Sequence, residues 1–137
     1  MTFGASAAPA NAAIGPGAAE FTVTPHKPGY HNVAVFGKIS MSQTEAQRLL
    51  DSGHKVVLRV WGEDTFSDDL QIGPYNATSY TSPVSNGLEF HRVLIGINDS
   101  RLNEDWGRDE LYVGARLVDS RGRTVRSFET NRVTGYF

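Results

Sequence analysis

The sequence predicts an all-β fold, an antiparallel β-sandwich of about seven strands with one short α-helix over residues 43–52. Three observations carry this. From Phe21 onward the apolar residues fall in short runs of period two, and Gly, Pro, Asn and Ser break those runs at short spacing. One segment alone has helical spacing with recognisable ends. A small barrel is the alternative, whereas a parallel βαβ sheet needs several crossover helices.

Taken in order, Phe21-Thr22-Val23 is a short extended segment, ended by Pro25 and Pro28-Gly29. Residues 33–39 follow as a strand with Val33, Val35 and Ile39 on one face. Ser42 and Glu45 have capping-box spacing, Gly53 stands where a C-cap belongs, and Ala46, Leu49 and Leu50 share a side, which defines the helix. Residues 56–61 are rich in β-branched side chains and resume as a strand, in which Trp61 is read as core. Leu70-Gln71-Ile72 is a brief strand stopped by Gly73-Pro74, and residues 75–87 form a polar stretch with turns at Pro83 and Asn86-Gly87. A long strand over 88–97 comes next. Residues 111–118 and 124–128 flank Asp119-Ser120-Arg121-Gly122, a strong hairpin signal, and residues from Val133 onward add a last short strand.

The chain has 137 residues, 39% hydrophobic and 20% charged, enough for one domain with a sizeable core. We divide it into an Ala/Gly/Pro-rich arm at 1–20 and a single domain at 21–137. Ala10-Asn11-Ala12 has the small-x-small pattern found before a signal-peptidase cut, so the arm reads either as a signal-peptide remnant of a secreted or cell-envelope protein or as a plain flexible arm. A net charge of −2 lacks the basic face that nucleic acid or a membrane surface requires. No apolar run approaches the roughly 20 residues of a membrane span. Cysteine is absent, which removes disulfides and thiolate chemistry.

The acidic residues are unevenly placed. Nine of the fifteen lie in two segments, Glu63 through Asp69 and Asp99 through Glu110. Carboxylates held close repel unless water, arginine, backbone N–H groups or a cation offsets the repulsion. If the strands run up and down, both segments arrive at one pole of the sandwich. Asp64, Asp68, Asp69, Asn103, Asp105 and Asp109 then supply the oxygen ligands a calcium ion prefers. Val60-Trp61 leading into spaced aspartates and then Ile72-Gly73, with Asp105 and Asp109 leading into Val113-Gly114, resembles the calcium loops of synaptotagmin-type β-sandwich domains. That resemblance implies a calcium site between the loops. The other reading is that these are solvated or locally bonded loop acids, with Arg101 and Arg108 neutralising part of the second segment.

Other groupings are smaller. Trp106 with Tyr75 or Tyr80 could form a ligand-binding surface for a glycan or a protein, and Trp61 also borders an acidic segment. Arg116, Arg121, Arg123, Arg126 and Arg132 make the C-terminal hairpin basic, suited to an anion or to protecting a sheet edge. His26, His31, His54 and His91 are a weak zinc set. Glu63 with Glu104, or Asp68 with Asp109, could act as a carboxylate pair in a small hydrolase. There is no nucleophile elbow and no phosphate-cradling glycine loop. The sequence therefore points to binding rather than catalysis, with a glycan or protein partner, and to calcium as the one candidate cofactor.

Overall fold

The computed structural model describes residues 14–63, 68–84, 86–102 and 109–135, with Asp109 described by its backbone only. It shows two antiparallel sheets and one short helix, the sandwich expected. The elements are β1 (Gly17–Lys27), β2 (Tyr30–Ser40), α1 (Gln43–Asp51), β3 (Lys55–Gly62), β4 (Asp69–Asn76), β5 (Thr78–Tyr80), β6 (Gly87–Asn98), β7 (Asp109–Val118), β8 (Thr124–Glu129) and β9 (Val133–Gly135). The first sheet has the order β1-β2-β6-β5. The second has the order β4-β3-β7-β8, and β9 pairs with the start of β7.

The core lies between the sheets and follows from side-chain alternation. Val33, Val35 and Ile39 of β2, Leu88 and Phe90 of β6, and Val56, Leu58 and Val60 of β3 are buried. Leu111, Val113, Ala115 and Leu117 of β7 complete it from the opposite sheet. The helix carries the chain from β2 in one sheet to β3 in the other. Ser42 Oγ accepts from the Glu45 N–H at 3.1 Å, Gly53 has φ of +85°, and Ala46 and Leu49 are buried, all as the sequence predicts. The hairpin at 119–122 also forms as expected, with Asp119 Oδ1 accepting from the Arg121 and Arg123 N–H groups at 2.9 Å.

Four boundaries differ from expectation. β1 begins at Gly17 and continues through Pro25, so residues 17–20 belong to the sheet rather than to an arm. β4 continues through Gly73 and Pro74 to Asn76. Both strands lie at sheet edges, where a residue without an N–H can sit with no ladder bond lost. Gly73 takes φ of +112° at a bulge against Leu58 and Val60, a backbone turn only glycine adopts easily. Within the stretch read as a polar loop, Thr78–Tyr80 pairs with β6 as a short edge strand.

Asn131 closes one seam between the sheets. Its side-chain amide accepts from the Phe21 N–H at 2.8 Å and donates to the Phe21 carbonyl at 3.1 Å, as a neighbouring strand residue would. Buried Thr130 does the same for Val113, whose N–H donates to Thr130 Oγ1 at 2.9 Å. The seam is thus held by polar bonds to backbone from both sheets.

One pole of the sandwich carries α1 and the β7–β8 turn. The other carries the β1–β2 turn, the segment after Gly62 and the segment after Asn98. There Gly62 is opposite both Asp69 and Leu111, and the Glu63 N–H donates to the Glu110 carbonyl at 2.8 Å. The backbones flanking the two acidic segments therefore meet at one pole, as the up-and-down reading predicts.

Candidate functional site

At that pole, three of the described acids, Glu63, Asp68 and Asp99, have side-chain partners within the protein. Arg132, in the connection between β8 and β9, donates to Glu63 Oε1 at 3.1 Å and lies 3.1 Å from Glu129 Oε1. Its guanidinium stacks over the Tyr112 ring, 4.0 Å from the centroid. The Tyr112 hydroxyl donates to Asp68. Asp99 lies 2.5 Å from His31 Nδ1 across the first sheet's end. The carboxylates on Arg132 hold its guanidinium charged well above its ordinary range, chiefly through the Glu63 bond. Burial and then the bond to Asp68 hold the Tyr112 hydroxyl in its neutral form to far higher pH than usual.

Arg101 and Arg108 were expected to neutralise part of the second segment; Arg108 lies outside the described residues, and Asp99 of that segment is bonded to His31 on β2. Glu63 of the first segment takes Arg132 as its partner. No sequence signal links position 63 with position 132. Only the pairing of β9 on the start of β7 brings them together.

Of the six residues nominated as calcium ligands, Asp64, Asn103 and Asp105 lie outside the described residues, and Asp109 is described by backbone alone. Asp68 accepts from Tyr112, and Asp69 is exposed at the start of β4. Among the described residues no three His, Asp or Glu side chains are grouped as a metal set. The histidines are dispersed: His31 pairs with Asp99, His54 lies 3.1 Å from Ser52 Oγ at the helix end, and His91 sits on the outer face of the first sheet.

The residues nominated for ligand binding separate as well. Trp106 lies outside the described residues. Tyr75 belongs to the second sheet and packs against the core, with the Arg92 guanidinium 6.0 Å from its ring centroid. Tyr80 belongs to the first sheet and faces outward. Tyr75 and Tyr80 therefore do not form one surface, because the chain changes sheet between them.

Tyr80 has company that sequence reading missed. Phe36 and His91 are opposite each other across β2 and β6, and their rings stack at 5.9 Å with an interplanar angle of 20°. Tyr80 meets His91 edge-on at 5.7 Å. Val93 and Ile95 extend the same outer face along β6. Fractional exposures are 54% for Phe36, 40% for Tyr80, 43% for Val93 and 68% for Ile95. These are four of the six large hydrophobic residues exposed among the described residues, gathered on one face. The signal was present in the sequence: alternate positions in β2 and β6 are apolar on both faces of the strand, which one buried face does not require.

The outer face of the second sheet differs in character. Trp61, read as core, faces outward and is half-buried, because Val56, Leu58 and Val60 take the inward positions. It leans over Gly114, beside Arg59 and Arg116. Comparison of the chain with protein-family models, curated proteins and solved structures finds no match.

Burial pushes the Tyr75 hydroxyl up to about 12, against the opposing effect of Arg92. Its folded value thus exceeds the unfolded value near 10, so the stabilisation is complete below pH 10 and is lost as pH rises toward 12. In urea titrations between pH 10 and 12, wild type should lose on the order of 1–2 kcal/mol more stability than Tyr75→Phe. Parallel losses in the two proteins would show that Tyr75 ionises like an exposed phenol.

Proposed function

We propose that this chain is a non-catalytic binding module that docks a protein partner on the outer face of its first sheet. The observation that carries this is the band of Phe36, Tyr80, His91, Val93 and Ile95 across β2, β5 and β6. A sheet face turned to water ordinarily alternates to polar residues, and a contiguous apolar band marks a surface that is covered in use. Aliphatic Val93 and Ile95 beside the aromatic pair favour a protein over a sugar, since they offer no planar stacking surface. Lys38 opposite Glu89 and Glu20 beside Phe36 supply a charged rim of both signs. At the acidic pole Glu63, one candidate for a hydrolytic pair, already has its carboxylate bonded to Arg132. Among the described residues no helix is long and apolar enough to cross a membrane.

The test is quantitative capture from an extract of the source organism, comparing wild type with a Phe36→Asp, Ile95→Lys double variant of unchanged melting temperature. A partner retained by wild type should fall at least about tenfold with the variant, as expected for loss of central apolar contacts. Identical retention by both proteins would rule out this face.

A second reading, calcium bound between the acidic segments, is favoured by the Glu63–Glu110 backbone bond, which brings the flanking chains together. Asp64, Asp68, Asp69, Asn103, Asp105 and Asp109 would supply its oxygens. A resident calcium ion would raise the melting temperature in millimolar calcium relative to chelator, and Asp105→Asn would diminish that rise. A melting temperature indifferent to calcium and chelator removes this reading and leaves the docking face untouched.

A further inference from the structure

On the opposite side of the molecule, the outer face of the second sheet contains a groove of about 360 Å³, a size that accepts one ring-sized group. Gly114 of β7 forms its floor. Arg59 stands directly across β3 from Gly114, and Glu129 directly across β8. Trp61, Arg116 and Ser127 complete the lining. A Cβ at position 114 would lie 3.1 Å from Trp61 Nε1, so a side chain here would press on the indole and narrow the groove.

The groove is rich in hydrogen-bond donors and poor in acceptors. Trp61 Nε1–H makes no hydrogen bond to a described residue. Arg59 has no carboxylate partner among the described residues, and Arg116 binds only Thr124 Oγ1, at 3.0 Å through one terminal nitrogen. Arg116 Nε is buried without a partner. The one carboxylate at the rim, Glu129, is already paired with Arg132. Elsewhere on the hairpin Arg123 is paired with Asp119, and Arg126 donates to the Ile14 carbonyl. Arg121 also lacks a carboxylate partner among the described residues, but neither it nor Arg126 lines the groove, where the basic groups are Arg59 and Arg116.

Two guanidinium groups and an indole N–H call for an acceptor-rich anion, and the adjoining indole offers a flat apolar surface. We infer that this groove binds an anionic sugar ring, carboxylated or sulfated, with the charge on Arg59 and Arg116 and the ring against Trp61. The site is independent of the apolar face on the first sheet.

The probe is Trp61 emission in a Trp106→Phe protein, where Trp61 is the sole indole. Titrants at low salt are trigalacturonate, galactose 6-sulfate, neutral galactotriose and sodium sulfate. Saturable quenching by at least one acidic sugar is expected, and which of the two binds tells uronate from sulfate. Arg59→Gln with Arg116→Gln should weaken that binding at least about tenfold without changing the melting temperature, as should 0.5 M salt. Gly114→Ala, which fills the floor, should abolish it. Absence of saturation by both acidic sugars at millimolar concentration would overturn the proposal. So would equal binding of neutral galactotriose, or of sulfate alone, since either result removes the charge or the ring from recognition.

Discussion

The register of β3 on β7 is the constraint on which the rest depends. These two strands form the centre of the second sheet, pairing from Lys55 opposite Val118 to Gly62 opposite Leu111 without a break. That register turns Val56, Leu58, Val60, Leu111, Val113, Ala115 and Leu117 inward together, all of them buried. A slip of one residue would turn one of the two strands over and carry Arg59 or Arg116 into the core, costing several kcal/mol for the unpaired charge. The same register sets Trp61 beside Gly114 and delivers the ends of both acidic segments to one pole. Core, groove and pole are consequences of one pairing.

The acidic pole shows how a charge pattern can mislead when read along the chain. Local repulsion between carboxylates is a sound inference from Glu63 through Asp69. For Glu63 the relief comes from a distance, through Arg132 bridging Glu63 and Glu129 above the Tyr112 ring. A guanidinium can do this because its planar fork meets two carboxylates while its face lies on an aromatic ring. At Glu63 the tertiary fold supplies the compensating charge, and at Asp68 it supplies a tyrosine hydroxyl.

Legibility in the sequence followed the range of the interaction. The helix was plain because its Ser42–Glu45 cap, Gly53 terminus and apolar stripe are all local. The 119–122 hairpin was plain for the same reason, since Asp119 bonds its own turn. Residues 17–20 and 78–80 were opaque because small or polar residues become strands only when β2 or β6 offers a ladder. Pro25 and Pro74 looked like stops, but they lie on edge strands whose outer N–H positions have no partner to lose. The convergence of the acidic segments was legible from strand counting. The apolar outer face of the first sheet was signalled by β2 and β6 being apolar at both alternations, whereas the outward Trp61 was not legible, because its side depends on which neighbours claim the inward positions.

With no cysteine in the chain, the β3–β7 register can be read directly from engineered pairs. Val57 and Arg116 stand opposite each other and face outward, within the Cα separation of about 4.4–6.8 Å that a disulfide requires for such cross-strand pairs. The decisive measurement is the yield of intramolecular disulfide on air oxidation of the folded Val57→Cys, Arg116→Cys protein, compared with Val57→Cys, Leu117→Cys. The account predicts near-complete closure of the first pair, with the fold retained, and little closure of the second. Closure of the second pair in preference to the first would place the strands one residue out of register and contradict the whole assignment of inner and outer faces.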